Sequence, residues 1–217
     1  MRLFIRLVIV ELSLPAILFI SAGRIDLPWF WALIGVYVVL MSAAIRSIDP
    51  DLLRERHHPA PGGEDRSLRW RVAPFFLAHL IVAGLDVGRF GWSGSVPLVV
   101  HAAGLIAYVS GMGLAMRAMA VNRFFSPVVR IQEERGHRLI TEGPYRFVRH
   151  PGYAGILLLC LGSGLVLGSW WSLLPMIPAV VLILRRTILE DRYLREHLEG
   201  YVGYAERVRY RLLPGVW

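Results

Sequence analysis

Thr141-Glu142-Gly143-Pro144-Tyr145-Arg146-Phe147-Val148-Arg149-His150-Pro151-Gly152-Tyr153-Ala154-Gly155 closes a charged run that begins at Arg117, and after it the chain turns apolar at once. Gly143-Pro144 marks a turn, since proline fixes φ and glycine accepts unusual backbone angles. Pro151 pushes His150 out of helical geometry and itself suits the first turn of a helix, where its missing N–H costs nothing. The spacing therefore predicts a helix starting at Pro151. Free N–H groups at its start, beside Arg146, Arg149 and His150, favour an anionic ligand group. Polar, aromatic and imidazole groups meet the start of a hydrophobic segment here, as they do where a membrane protein works at the water–lipid boundary.

Outward from this stretch the chain reads as an all-α, polytopic membrane helix bundle of about five to six transmembrane helices. It has 217 residues, 55% of them hydrophobic, and several apolar stretches approach the ~20 residues that span a bilayer as a helix. The predicted segments are about 3–22, 28–45, 72–87, 96–119, 152–167 and 170–184. The last runs on as an amphipathic helix to about Tyr204. Arg2, Arg6 and the following apolar run resemble a secretory signal, but Glu11 and Pro15 inside the run favour a retained helix. Between segments two and three, Asp49–Arg56 reads as a short amphipathic helix and His57–Asp65 as an irregular linker.

The net charge of +8 comes from 24 arginines and no lysine. The arginines alternate between loops. Arg24 and Arg89 stand alone in the first and third loops and the fifth has none, whereas the second carries six, the fourth seven and the C-terminal region seven. By the positive-inside rule this places both termini, the central stretch and the C-terminal tail in the cytoplasm. The basic charge thus points to the lipid bilayer as partner, with no nucleic acid. The chain divides into residues 1–119, the N-terminal membrane helices, and 120–217, which holds the charged stretch, the last two membrane helices and the C-terminal tail.

Chemistry-bearing residues cluster in two places. One is His137-Arg138-Leu139-Ile140, Tyr145 and His150–Tyr153. The other is Arg186 and Glu190, which a spacing of four puts on one helix face; its bland reading is a surface ion pair worth about 0.5 kcal/mol. Gly111-Met112-Gly113 and the glycines from Gly162 to Gly168 follow no strand and read as close helix packing, not a dinucleotide fingerprint. His79 and His101 read as interhelical hydrogen-bonding groups. His57-His58 lacks the ligand count for a metal, and Cys160, the sole cysteine, is a small apolar residue with no disulfide partner. No metal is expected.

The C-terminal half resembles the isoprenylcysteine carboxyl methyltransferase family of integral membrane enzymes. The pattern H-x-L-[IV]-T-x-G-x-Y-x-x-x-R-H-P-x-Y-x-G runs from His137 to Gly155. A second block follows with Arg186-x-x-x-Glu190, Tyr201-x-x-Tyr204, Val208 and Pro214. The resemblance covers about Asn122 to Trp217. A wider group with the same block includes phospholipid methyltransferases, and weaker relatives occur in membrane sterol reductases. The resemblance implies a cytoplasmic pocket for S-adenosylmethionine. His137, Leu139, Ile140, Tyr145, His150, Pro151 and Tyr153 match cofactor-contacting positions, Gly152 fills the variable position of that block, and Arg130 stands where family members can carry Gln. Glu190 matches an acidic cofactor contact and Arg186 a basic residue assigned to the substrate. Arg186, Glu190 and His150 are the catalytic candidates.

The residue chemistry agrees with that implication. Tyrosine faces stabilise a sulfonium cation, and an arginine suits a substrate carboxylate. A carboxylate nucleophile needs no general base, whereas an amine would need His150 or Glu190 to take its proton. The expected activity is methyl transfer to a carboxylate, or to a thiol or amine, of an apolar-tailed or small amphipathic substrate. The alternatives are a phospholipid N-methyltransferase, an NADPH-dependent reductase of sterol-like or enone substrates, and a non-catalytic membrane protein that leaves both clusters without a role.

Overall fold

Runs of apolar residues with no soluble-type amphipathic period become helices whose own backbones satisfy every interior N–H and C=O, the requirement set by a hydrocarbon solvent. The computed structural model describes residues 13–47 and 49–217. Arg2, Arg6 and Glu11 lie outside the described residues. The helices are α1 (Ser13–Ala22), α2 (Pro28–Ser47), α3 (Pro50–His57), α4 (Leu68–Leu85), α5 (Leu98–Val121), α6 (Pro151–Leu167), α7 (Met176–His197) and α8 (Tyr201–Arg207). Three stretches are long and apolar enough to cross a membrane: Leu68–Phe90, Leu98–Val121 and Trp171–His197. α1, the apolar part of α2, and α6 are shorter. Among the described residues there is no strand, only one bridge between Glu64 and Val129.

The centre is the α5–α6 pair, which packs along its length. Small residues make that possible. A Cβ on Gly111 would lie 2.6 Å from the Gly155 carbonyl oxygen, and one on Gly162 would lie 2.5 Å from the Tyr108 nitrogen. Between membrane helices close packing replaces the hydrophobic effect as the attractive force, so backbones that touch hold the pair. Gly113 faces open space and takes no part. α2 lies across both helices, and Leu18, Phe30, Leu33, Tyr108 and Val166 fill the common core. Outward faces carry exposed Val39, Leu77, Ile106, Leu161 and Val181, an apolar surface of the kind lipid covers.

The two histidines are interhelical ties. His79 bonds through Nδ1 to the Ser172 carbonyl (2.8 Å) and through Nε2 to Ser163 Oγ (3.1 Å). His101 bonds to the Val166 carbonyl and stacks on Trp29. Asp86, fully buried, accepts from Ser93 N, Ser93 Oγ and Ser169 Oγ. These bonds gather the arginine-poor loops at one end of the bundle. The arginine-rich loops meet at the other, as the alternation demands.

Two elements differ from expectation. α4 starts at Leu68, earlier than the apolar run, because the Asp65–Ser67 turn already hands carbonyls to Leu68, Trp70 and Arg71. The amphipathic helix after α7 does not run through to Tyr204. Leu198 is extended and Gly200 takes φ 78, a left-handed angle that only glycine adopts without strain. The break folds α8 back, so that Tyr201 and Tyr204 pack on Leu139, Leu194 and Leu198.

Candidate functional site

At the arginine-rich end, four pieces of chain enclose a pocket: residues 122–150 between α5 and α6, the start of α6, the end of α7 with Leu198 after it, and α8. Asn122 ends α5 and begins the wall. Its side-chain carbonyl accepts from Phe124 N, and its amide donates to Tyr145 Oη at 3.1 Å. Gly143, at φ 56, starts the single turn Gly143–Arg146, and that turn lays Tyr145 against α5 and α8. Tyr204 donates to the Tyr145 carbonyl at 2.7 Å. Burial raises the Tyr145 hydroxyl's pKa, so it stays a neutral phenol.

His137 is stacked on Phe124 at 4.4 Å, and its Nδ1 accepts from Gln132 N–H at 3.2 Å. That bond leaves the ring proton on Nε2. Burial first, and then Arg130 and Arg135, outweigh the nearby glutamates and lower its pKa to about 4. His137 is a neutral donor at physiological pH.

Tyr153 leaves the first turn of α6 and donates to Glu190 Oε2 at 2.7 Å while accepting from Arg186 Nε at 3.2 Å. Tyr153 and Glu190 line the pocket; Arg186 does not. Arg186 is 1% exposed and its donors are committed. Besides Tyr153 and Glu190 it reaches the Asp65 carbonyl and carboxylate and the Pro127 carbonyl. It acts as a rigid backing to the Tyr153–Glu190 pair.

The arginine expected to favour an anion at the start of α6 is spent elsewhere. Arg149 gives Nε to Asp191 Oδ1 at 2.7 Å, and Nη1 to the Val208 and Arg209 carbonyls. Arg146 is exposed. Arg149 N and His150 N donate to the Tyr210 and Arg211 carbonyls, so the C-terminal tail packs behind these two residues. His150 has the expected non-helical angles, φ −126 and ψ 60, and Pro151 opens α6. His150 lines the pocket, with Nε2 beside Asp191 (3.3 Å) and Tyr201 Oη (3.4 Å). Asp191, one residue after Glu190, is turned by the helix away from it. It takes Arg149, His150, Tyr201, Arg195 and Arg211 onto one carboxylate.

A second clamp comes from the loop before α4. Asp49 caps α3 by accepting from Asp51 N. Leu52 and Glu55 are buried, and Glu55 receives Arg130 at 2.9 and 3.1 Å and Ser126 at 2.9 Å. Burial opposes the Glu55 charge, yet Arg130 and Ser126 outweigh it and lower its pKa. Glu134 and Glu55 raise that of Arg130. Asp65, at φ 51, carries the bonds to Arg186.

Of the residues singled out from the sequence, Arg130, His137, Leu139, Ile140, Tyr145, His150, Gly152, Tyr153 and Glu190 line this one pocket. Pro151 is buried at the head of α6 and Arg186 stands behind the wall. Sequence reasoning missed Asn122, Phe124, Phe125, Leu194 and Leu198 in the lining, and Glu55, Asp65 and Asp191 as supports. Asp191 had a signal in the adjacent Glu190-Asp191 acids.

Residues 99–200 match the phospholipid methyltransferase family model. The matched range takes in α5, α6, α7 and most of the pocket. The chain is also similar to proteins that carry the name protein-S-isoprenylcysteine O-methyltransferase. One from Oryza sativa subsp. indica, named as probable, is 36% identical over 117 residues, covering 46% of this chain and 59% of the relative. Form B from Arabidopsis thaliana is 33% identical over 115 residues, covering 46% and 57%. One from Schizosaccharomyces pombe is 30% identical over 102 residues, covering 45% and 43%. The chain thus spans about half the length of the relatives it matches. Among the described residues no group of three or more histidine, cysteine, aspartate or glutamate side chains is placed to hold a metal.

Proposed function

We propose that this protein is a multi-pass membrane methyltransferase that moves the methyl group of S-adenosylmethionine to the carboxylate of an apolar-tailed substrate, with a prenylated cysteine as the model substrate. The observation that carries the reading is the single pocket that joins Tyr145, Tyr153, His137, His150 and Glu190 at the arginine-rich end of an apolar bundle. The donor set fits the cofactor. Tyrosine faces suit a sulfonium, Glu190 accepts from an amine or from hydroxyls, Leu139, Ile140 and Leu194 offer an apolar bed, and neutral His137 donates. Bound there, S-adenosylmethionine supplies an electrophilic methyl group on positively charged sulfur.

The protein's part is placement. The Arg186–Tyr153–Glu190 chain fixes one wall, and the Asp191 cluster fixes His150 and α8. A substrate carboxylate oxygen forms the new bond to the methyl carbon as the carbon–sulfur bond breaks, leaving a methyl ester and S-adenosylhomocysteine. No proton moves, so the site needs orientation and exclusion of water and no base. The arginine pattern supports a pocket and termini on the cytoplasmic side, and the apolar helix faces offer a lipid tail its route.

The test is calorimetric titration of detergent-purified protein with S-adenosylhomocysteine and, separately, NADPH, followed by transfer of labelled methyl to N-acetyl-S-farnesylcysteine. Binding of the first ligand with ester formation is expected. Binding of NADPH alone overturns the reading.

A further inference from the structure

α3 meets the site through one face, made by Leu52, Glu55 and Arg56 at helical spacing. Leu52 is fully buried and Glu55 is held by Arg130 and Ser126, so the third member of the face is fixed in place. Arg56 has no carboxylate and no hydrogen-bond partner among the described residues. Its guanidinium lies over the Phe125 ring, 5.4 Å from the centroid. Phe125 lines the pocket and covers Gly152, where a Cβ would lie 2.5 Å from two of its ring carbons. The Tyr153 hydroxyl is near enough to act on Arg56 electrostatically.

The deeply buried arginines at this end are neutralised. Arg130 has Glu55 and Glu134, Arg149 has Asp191, and Arg186 has Asp65 and Glu190. Among the described residues two half-buried arginines at this end face no carboxylate, Arg56 and Arg135. Arg135 donates to Gln132 Oε1 and lies over Phe124, with Nη2 unpartnered, whereas Arg56 has no hydrogen bond at all and desolvation lowers its pKa. A cation held out of water with only a ring face for company is unfavourable until an anion arrives.

We propose that Arg56 receives the substrate carboxylate and selects anionic substrates over neutral ones. The proposal rests on the methyl-transfer reading above. Arg186 is left with its committed task of positioning Tyr153 and Glu190. Arg56 holds one carboxylate oxygen by charge-assisted hydrogen bonding while the other forms the bond to the methyl carbon. The electron pair of the broken bond stays on sulfur, so an anion and a sulfonium become a neutral ester and a thioether. The ester then has no charge for Arg56, and the product is held less tightly than the substrate.

Arg56→Gln and Arg56→Lys are compared with wild type, using N-acetyl-S-farnesylcysteine as the acid and its carboxamide as the neutral analogue. Calorimetric affinity for S-adenosylhomocysteine, expected to stay within about threefold of wild type, reports an intact pocket, since a substitution outside the lining leaves those contacts in place. In Arg56→Gln, KM for the acid is expected to rise roughly ten- to hundredfold, with kcat changed far less. Wild type binds the acid at least about tenfold tighter than the amide, and Arg56→Gln binds the two about equally. Arg56→Lys recovers part of the loss. An unchanged KM and acid preference in Arg56→Gln overturns the assignment while methyl transfer stands. Loss of S-adenosylhomocysteine affinity in both variants also overturns it, by making Arg56 a support of the pocket. If wild type neither binds S-adenosylhomocysteine nor esterifies the acid, the methyl-transfer reading falls and this inference with it.

Discussion

Replacing Asp191 with alanine removes the carboxylate that faces Arg149, His150 and Tyr201 together. The cost follows from which partners stay buried. Arg195 and Arg211 are 38% and 31% exposed in their side chains; they turn to water and together add under about 1 kcal/mol. Arg149 cannot. It is 4% exposed and keeps only the Val208 and Arg209 carbonyls. Stranding a buried charge in this way costs about 3–5 kcal/mol, and the two remaining acceptors put the expected loss near the lower end. Asp191→Asn retains an acceptor oxygen without the charge and is expected to lose about 2 kcal/mol. Replacing both partners, Asp191→Leu with Arg149→Met, removes the stranded charge and should be less harmful than Asp191→Ala alone. Unfolding in mixed detergent micelles, followed by tryptophan fluorescence, measures all three. A loss below about 1 kcal/mol for Asp191→Ala, or a double variant as unstable as the sum of its parts, would refute the view that one carboxylate neutralises a buried Arg149.

Glu190→Ala and His150→Ala should each abolish S-adenosylhomocysteine binding by calorimetry while the protein still elutes as a folded species. Gly155→Leu forces a side chain into the Gly111 carbonyl and should lose about 1–3 kcal/mol, whereas Gly113→Ala, which faces open space, should stay within about 0.5 kcal/mol; the same unfolding assay compares them. His137 titrates near 4 when folded, below the ordinary histidine value, so the unfolded chain takes up its proton first as pH falls. Stability from keeping this ring neutral is complete above about pH 6.5 and is lost between there and about pH 4. The stability difference between wild type and His137→Gln should therefore shrink from pH 7.5 to pH 5, and a constant difference would count against a buried neutral ring.

Helix positions and the sorting of loops to two ends were legible because membrane spans depend on local composition and loop charge, both written along the chain. The His137–Tyr153 block was legible because turn-forming Gly143, Pro144 and Pro151 fix its backbone locally. The role of Arg186 was not. Its spacing to Glu190 gave the pair, but Asp65 lies 121 residues away in sequence and only the folded chain shows that it occupies the guanidinium. For the same reason Glu55, in a loop that reads as a topology signal, gave no sign of its bond to Arg130. The end of α7 was misjudged because Gly200 breaks a helix whose polar pattern would otherwise continue.

The bonds from Arg149 N and His150 N to the Tyr210 and Arg211 carbonyls set an order of assembly. On a ribosome, α6 and α7 are both made before residues 210–211 emerge, so the helices can insert before the tail docks behind Arg149 and His150. Until the tail docks, the backbone N–H groups of Arg149 and His150 are left open. The backbone at Arg149 and His150, two pocket residues, is thus fixed only after both helices have been made. A mechanical load on residues 210–217 would therefore be felt at Arg149 and His150, and a tag placed beside that segment needs a long flexible spacer.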